Sequence, residues 1–189
     1  LPLIVHDKEF VSVTPAANNT WDVVYTIVVT NSGTVNSTYT LTDTPKYDDD
    51  VVINLPARFS SDVTPGSSNL TGAVWTLATN QALAAGARHV YTLTVNVALN
   101  LSDNIGHNSY TVCQPTPPDA PNTGLYNLPT LTQPGQPPRL ADHGGDLPLI
   151  AHDKEFVSVT PAANNTWDVA HTLQGTTTAP AQTTTTHAH

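Results

Sequence analysis

Residues 1–27, LPLIVHDKEFVSVTPAANNTWDVVYTI, return at 147–173 as LPLIAHDKEFVSVTPAANNTWDVAHTL, changed only at Val5/Ala151, Val24/Ala170, Tyr25/His171 and Ile27/Leu173. The offset of 146 residues exceeds the ~20–50 residues of a solenoid repeat and suits a whole domain. The same opening segment is therefore present twice, once with a domain's worth of chain behind it and once without. After Ile27 the first copy continues VVTNSGTVNSTYTLTDTP, whereas after Leu173 the second becomes QGTTTAPAQTTTTHAH. A Thr/Ala tract without apolar alternation cannot bury a core by itself. Two readings stay open: 147–173 begins the next copy of a tandem array, or it is a strand segment offered to another subunit.

Between the two copies the sequence alternates apolar and polar residues, with many β-branched side chains, between clusters of turn formers. Phe10–Val13, Trp21–Thr30, Ser37–Thr44, Val51–Leu55, Val74–Leu77, His89–Val97 and Ser109–Cys113 read as strands. Trp21–Thr30 and Ser37–Thr44, separated by Asn31-Ser32-Gly33, are expected to form a hairpin. About seven strands at this spacing describe an antiparallel Ig-like β-sandwich. From Gln114 to Gly145 the chain is rich in Pro and Gly, with Leu125–Leu128 and Thr130–Thr132 as strand candidates. The expected organisation is a sandwich at 1–140, a stiff linker at 141–146, the second copy of the opening strands at 147–173, and a low-complexity tail at 174–189.

Six basic against 15 acidic residues leave a formal charge of −9, the opposite of the footprint needed for nucleic acid or an anionic bilayer. No run approaches the ~18 apolar residues of a membrane span, and the first residues lack the basic flank of a signal peptide. With no Met, the chain reads as a processed product or a piece of something longer. Cys113 is the only cysteine, so the expectation is a buried thiol, with pairing between chains as the alternative. The histidines show no metal-site spacing, and no nucleophile-elbow, zinc-protease or phosphate-loop motif is present. No enzyme activity and no organic cofactor are expected.

The stretch VVYTIVVTNSGTVNSTYTLTDTP, then Leu77-Ala78 and Ala85–Val95, with YTVC at 110–113 and GLYN at 124–127, resembles the DUF11-like, prealbumin-like repeats of large bacterial surface proteins. The resemblance implies an Ig-like sandwich used in tandem as a spacer, stalk or adhesin shaft, secreted to the cell surface and without catalysis. Some surface Ig-like domains join a first-strand Lys to a late-strand Asn or Asp beside a buried acid. Lys8 stands in the first strand, although an exposed or snorkelling Lys is the expectation.

The function expected from the repeat is that of a fibre or stalk subunit whose partners are other copies of itself, joined head-to-tail through 147–173. Phe156, Val157, Val159 and Trp167 would then be the assembly residues, filling pockets of an open sandwich. The alternative is an adhesin or accessory module that binds cell-surface glycans, with Tyr39, Tyr47, Trp75 and Tyr126 as a stacking face. Asp48, Asp49 and Asp50 offer oxygen ligands for Ca²⁺, although a solvated turn is the expectation. Sequons at Asn18, Asn36, Asn69, Asn100 and Asn164 are candidates for glycosylation.

Overall fold

The computed structural model describes residues 3–64, 66–100, 123–141, 144, 145, 147, 150–161, 163 and 166–177. The expected strand at Ser109–Cys113, the thiol of Cys113, the sequon at Asn164 and the tail beyond Thr177 lie outside these residues. The chain divides into a module over residues 1–147 and a smaller unit within 148–180.

Strands of the module are β1 (Ile4–Ala16), β2 (Thr20–Asn31), β3 (Ser37–Pro45), β4 (Val51–Ser61), β5 (Ser67–Leu70), β6 (Trp75–Leu83), β7 (Arg88–Leu99), β8 (Asn127–Thr132) and β9 (Arg139–Leu140). They build two antiparallel sheets, one in the order β1-β2-β7-β4-β5 and the other β6-β3-β8-β9. The all-β sandwich expected from the alternation is the fold observed. Period-2 patterning sends every second side chain inward. Val23, Tyr25, Ile27 and Val29 of β2 face Tyr39 and Leu41 of β3 across a core completed by Tyr91, Leu93, Val95 and Val97 of β7. Hydroxyls of Tyr39 and Tyr91 meet at 2.6 Å and tie the two sheets together.

The expected hairpin between Trp21–Thr30 and Ser37–Thr44 does not form. β2 pairs with β1 and β7, whereas β3 pairs with β6 and β8 in the opposite sheet. Alternation identifies the face a strand buries but not its hydrogen-bonded neighbour, which depends on the connection. Here Asn31, fully buried, donates from Nδ2 to the carbonyls of Val35 and Leu83, and its Oδ1 accepts from Gly33 N–H. These bonds carry the chain from one sheet to the other.

After β9 the chain returns to the module. Leu147 is buried in the core, Gly145 C=O accepts from Leu125 N–H at 2.9 Å, and the Gly145 Cα lies against the Phe10 ring. A Cβ at Gly145 would fall on that ring, which is itself held edge-on against Tyr25. Gly145→Ala is therefore expected to lower stability by ~1–3 kcal/mol through overpacking, read as a shifted denaturant midpoint with unchanged slope.

The smaller unit is a hairpin of β10 (Ile150–Pro161) and β11 (Trp167–Thr177). It reproduces β1–β2: Lys8↔Ile27 and Phe10↔Tyr25 in the module correspond to Lys154↔Leu173 and Phe156↔His171. The register slips at the same place in both, between Phe10 and Ser12 and between Phe156 and Ser158. Ring contacts match as well, with centroids 5.8 Å apart for Phe10–Tyr25 and 5.9 Å for Phe156–His171, both near edge-on. Local sequence thus specifies this bulged hairpin whether or not a sandwich surrounds it.

Candidate functional site

One end of the module core is polar. Lys8 projects inward from β1, is 2% exposed, and its Nζ lies 2.7 Å from Asp43 Oδ1 of β3. The ammonium also sits 4.5 Å from the centroid of the Tyr25 ring, whose hydroxyl donates to Leu125 C=O at 2.7 Å. Lys8 is thus not the exposed or snorkelling lysine the sequence suggested. Its inward direction follows from β-sheet alternation, because Lys8 shares the inner face with Phe10, two residues on. A buried ion pair must be well placed to offset the loss of hydration, so an inward Lys in an all-β core calls for a specific explanation.

Asn127 opens β8 on the strand beside Asp43. The register places Asp43 opposite Pro129 and Pro45 opposite Asn127, so Asp43 and Asn127 are diagonal neighbours on one face. Asn127 is fully buried, and neither its amide nitrogen nor its amide oxygen makes a hydrogen bond; Asp43 Oδ2 makes none either. Burial pushes the Tyr47 hydroxyl far above the usual tyrosine range. Tyr25 and Asn127 oppose that rise and Asp43 adds to it, which locates Tyr47 beside all three although its hydroxyl has no hydrogen-bond geometry to any. A buried amine and carboxylate are therefore paired, with an unpartnered carboxamide diagonal to the carboxylate on the next strand, and each unpaired buried polar atom costs ~1–3 kcal/mol.

Burial lowers the pKa of Lys8 to about 8, against the raising effect of Asp43. A neutral amine is thus accessible near physiological pH, and a neutral amine is a nucleophile. The set contains the parts for amide exchange. Lys8 Nζ would attack Asn127 Cγ, the new N–C bond forming as the C–NH₂ bond breaks. The proton released from Nζ leaves with the nitrogen as ammonia, and the Asp43 carboxyl is placed to relay it. No oxidant, nucleotide or metal is needed, and the product would be an isopeptide bond between β1 and β8.

The pKa shift has a sign that can be measured in a protein unable to make the bond, such as Asn127→Ala. Between about 8 and the ordinary 10.5 of the unfolded chain, the unfolded state binds the proton and the folded state does not. Stability of Asn127→Ala should therefore rise with pH in that window, by at most ~1.4 kcal/mol per unit. In a protein carrying the bond, Lys8 would be an amide and the rise should be missing from denaturant titrations across the same range.

The other sequence-derived candidates fall elsewhere. Tyr39, Tyr47, Trp75 and Tyr126 are all buried, so the proposed sugar-stacking face is core instead of surface. Ring size and alternation mark these residues for burial as readily as for stacking. Asp48 and Asp50 are buried and Asp49 is exposed, with ligand atoms within 4.8 Å of one another. Asp48 Oδ1 accepts from Asp50 N–H at 3.0 Å and its main chain bonds Gly124 and Val51, which is the geometry of an Asx turn. Asn18, Asn36, Asn69 and Asn100 are exposed, although Asn36 Oδ1 already accepts from Ala85 N–H.

The hairpin presents the assembly candidates. Phe156, Val159 and Val169 are 56%, 49% and 54% exposed, whereas their counterparts Phe10, Val13 and Val23 are 3%, 8% and 0% exposed. Trp167 is exposed where Trp21 packs partly against the core. Val157 differs in kind: its counterpart Val11 is itself 41% exposed, on the outer side of the bulge. The hairpin therefore exposes Phe156, Val159 and Val169, whose counterparts in the module are core.

No helix among the described residues is long and apolar enough to cross a membrane. No protein-family model matches the chain, and no curated protein does. Among solved structures the chain is similar to a variant of the major pilin subunit of Bacillus cereus, at 9% identity and a TM-score of 0.38, over 94% of this chain and 56% of that one.

Proposed function

We propose that the chain is a structural subunit of an extracellular fibre or stalk, in which the 147–173 segment of one copy supplies the opening strands of the next. The observation that carries this reading is the β10–β11 hairpin. It has the register, bulge and ring contact of β1–β2, yet leaves its core face in water. A surface that is core in one copy and bare in the other has a ready partner, namely the part of the sandwich that β1–β2 covers. Main-chain hydrogen bonds to β7 would fix the direction of the docked hairpin, and Phe156, Val159 and Val169 would fill the pockets of Phe10, Val13 and Val23. In a module that keeps its own opening strands instead, a Lys8–Asn127 bond would tie β1 to β8.

Negative-stain electron microscopy and light scattering of the full chain, beside a Phe156→Asp, Val159→Asp variant, test the assembly. Filaments or oligomers that increase with protein concentration are expected from the first, and monomers at every concentration from the second. Monomers from both, at concentrations up to the millimolar range, would remove the assembly role of the hairpin. The glycan-binding alternative has lost its stacking residues to the core, and no other observation favours it.

A further inference from the structure

Each chain carries two bulged hairpins of nearly the same sequence but, among the described residues, a single cradle, the Asp43–Asn127 pair of β3 and β8. From this asymmetry we infer that the cradle of one copy accepts Lys154 from the hairpin of a second copy as an alternative to its own Lys8, sealing the joint between copies with an inter-chain isopeptide bond. The inference rests on the strand-exchange reading above and adds the chemistry that makes the exchange permanent.

Placement follows from register. Lys8 stands opposite Ile27 and two residues before Phe10; Lys154 stands opposite Leu173 and two residues before Phe156, with the register slip following at the same point. A hairpin docked so that Phe156 takes the place of Phe10 brings the Lys154 backbone to where Lys8 now leaves β1. The local sequence HDKEFVSVTPAANNTWDV is the same in both copies, so nothing within it distinguishes the two donors. The reaction in trans is the one written for Lys8: Lys154 Nζ bonds to Asn127 Cγ of the second copy, ammonia leaves, and that copy's Asp43 relays the proton.

The two routes compete, because one carboxamide can react once. A tethered β1 is present at an effective concentration on the order of millimolar, so closure by Lys8 is favoured in dilute solution and makes a module that accepts no partner. Of the four differing positions, Tyr25/His171 bears most directly on the reaction. The Tyr25 ring lies under the Lys8 ammonium and its hydroxyl holds Leu125, and imidazole supplies no such hydroxyl. The exchanged joint is therefore the slower product, and once formed it does not reverse, because ammonia is lost. Self-closure gives single, capped modules; closure in trans gives a covalent chain of them.

The test refolds the full-length protein from denaturant over a range of concentrations, for wild type, Lys8→Ala and Lys8→Arg. Assembly is read by light scattering before denaturation, and covalency by denaturing gel and intact mass. With the competing amine removed, Lys8→Ala and Lys8→Arg should give a denaturant-resistant ladder that grows with concentration. Each link should be lighter by one ammonia, about 17 Da, and should map to a 154–127 cross-linked peptide. The ladder should vanish when Lys154→Ala or Asn127→Ala is added and increase when His171→Tyr is added. Lys8→Arg keeps a cation for Asp43 and serves if Lys8→Ala fails to fold. Oligomers that separate on denaturation into single chains of full mass would overturn the inter-chain bond and leave strand exchange standing. Folded variants that stay monomeric at every concentration would overturn both.

Discussion

Asp43→Ala is expected to leave the intact chain at its full sequence mass, whereas the unmodified protein should be lighter by one ammonia, about 17 Da. Among the described residues Asp43 is the ion-pair partner of Lys8, and it is the acid that would relay the leaving proton. Without it, an amine buried in an apolar core has neither a charge partner nor a route for proton transfer. Removal of one member of a buried pair ordinarily costs ~3–5 kcal/mol, because the other is left uncompensated. The loss here should be larger when compared with the bonded protein. A cross-link between residues 8 and 127 closes most of the module into a loop, and closures of ~100 residues are worth several kcal/mol through the unfolded state. The two contributions can be separated. Asn127→Ala should restore the full mass while keeping the Lys8–Asp43 pair, so its stability should fall between the bonded protein and Asp43→Ala. A full-mass wild-type protein that melts like Asn127→Ala would show that the cluster is a plain buried ion pair.

The second large effect comes from one substitution made at two places in the same local sequence. Phe10→Ala removes a ring that is 3% exposed, packed edge-on against Tyr25 and covered by Gly145. It is expected to destabilise the module by ~3–5 kcal/mol. Phe156→Ala removes a ring that is 56% exposed and should leave the module's denaturant midpoint within ~0.5 kcal/mol of wild type. Its effect should appear in association, since on docking Phe156 would take the buried place of Phe10. The pair of measurements, denaturant unfolding at low concentration and light scattering at high concentration, should show opposite patterns for the two variants. Equal loss of module stability from both would mean that the hairpin already packs on its own module, which leaves no surface for a neighbour.

Much of the fold was legible in the sequence because β alternation reports burial directly. The strand expected at Trp21–Thr30 forms, and its alternate residues Val23, Tyr25, Ile27 and Val29 are all fully buried. The repeated segment likewise carried its own hairpin, bulge included, since TPAANNTW sets the turn and the flanking strands pair locally. Alternation said nothing of pairing partners, so β2 and β3 were expected side by side when the Asn31 corner places them in opposite sheets. It also could not separate a buried aromatic from a binding one, and Trp75 and Tyr39 proved to be core.

The polar cluster shows the limit most clearly. Lys8, Asp43 and Asn127 are 35 and 84 residues apart along the chain, and nothing in their local sequences marks them as a set. Strand phase alone put Lys8 on the inner face, since it shares the parity of Phe10, but a lone inward Lys looks the same as a snorkelling one until its surroundings are known. Whether it meets an acid and a carboxamide depends on which strands cross which, and that is decided by non-local packing between two sheets. The sequence by itself determined the strands, their buried faces and the duplicated hairpin, because these follow from local alternation and turn chemistry. Only the tertiary structure decided that the apolar face of the opening hairpin is core in the module, and that an amine, an acid and an amide are buried on neighbouring strands, because burial and proximity are properties of the assembled sheets.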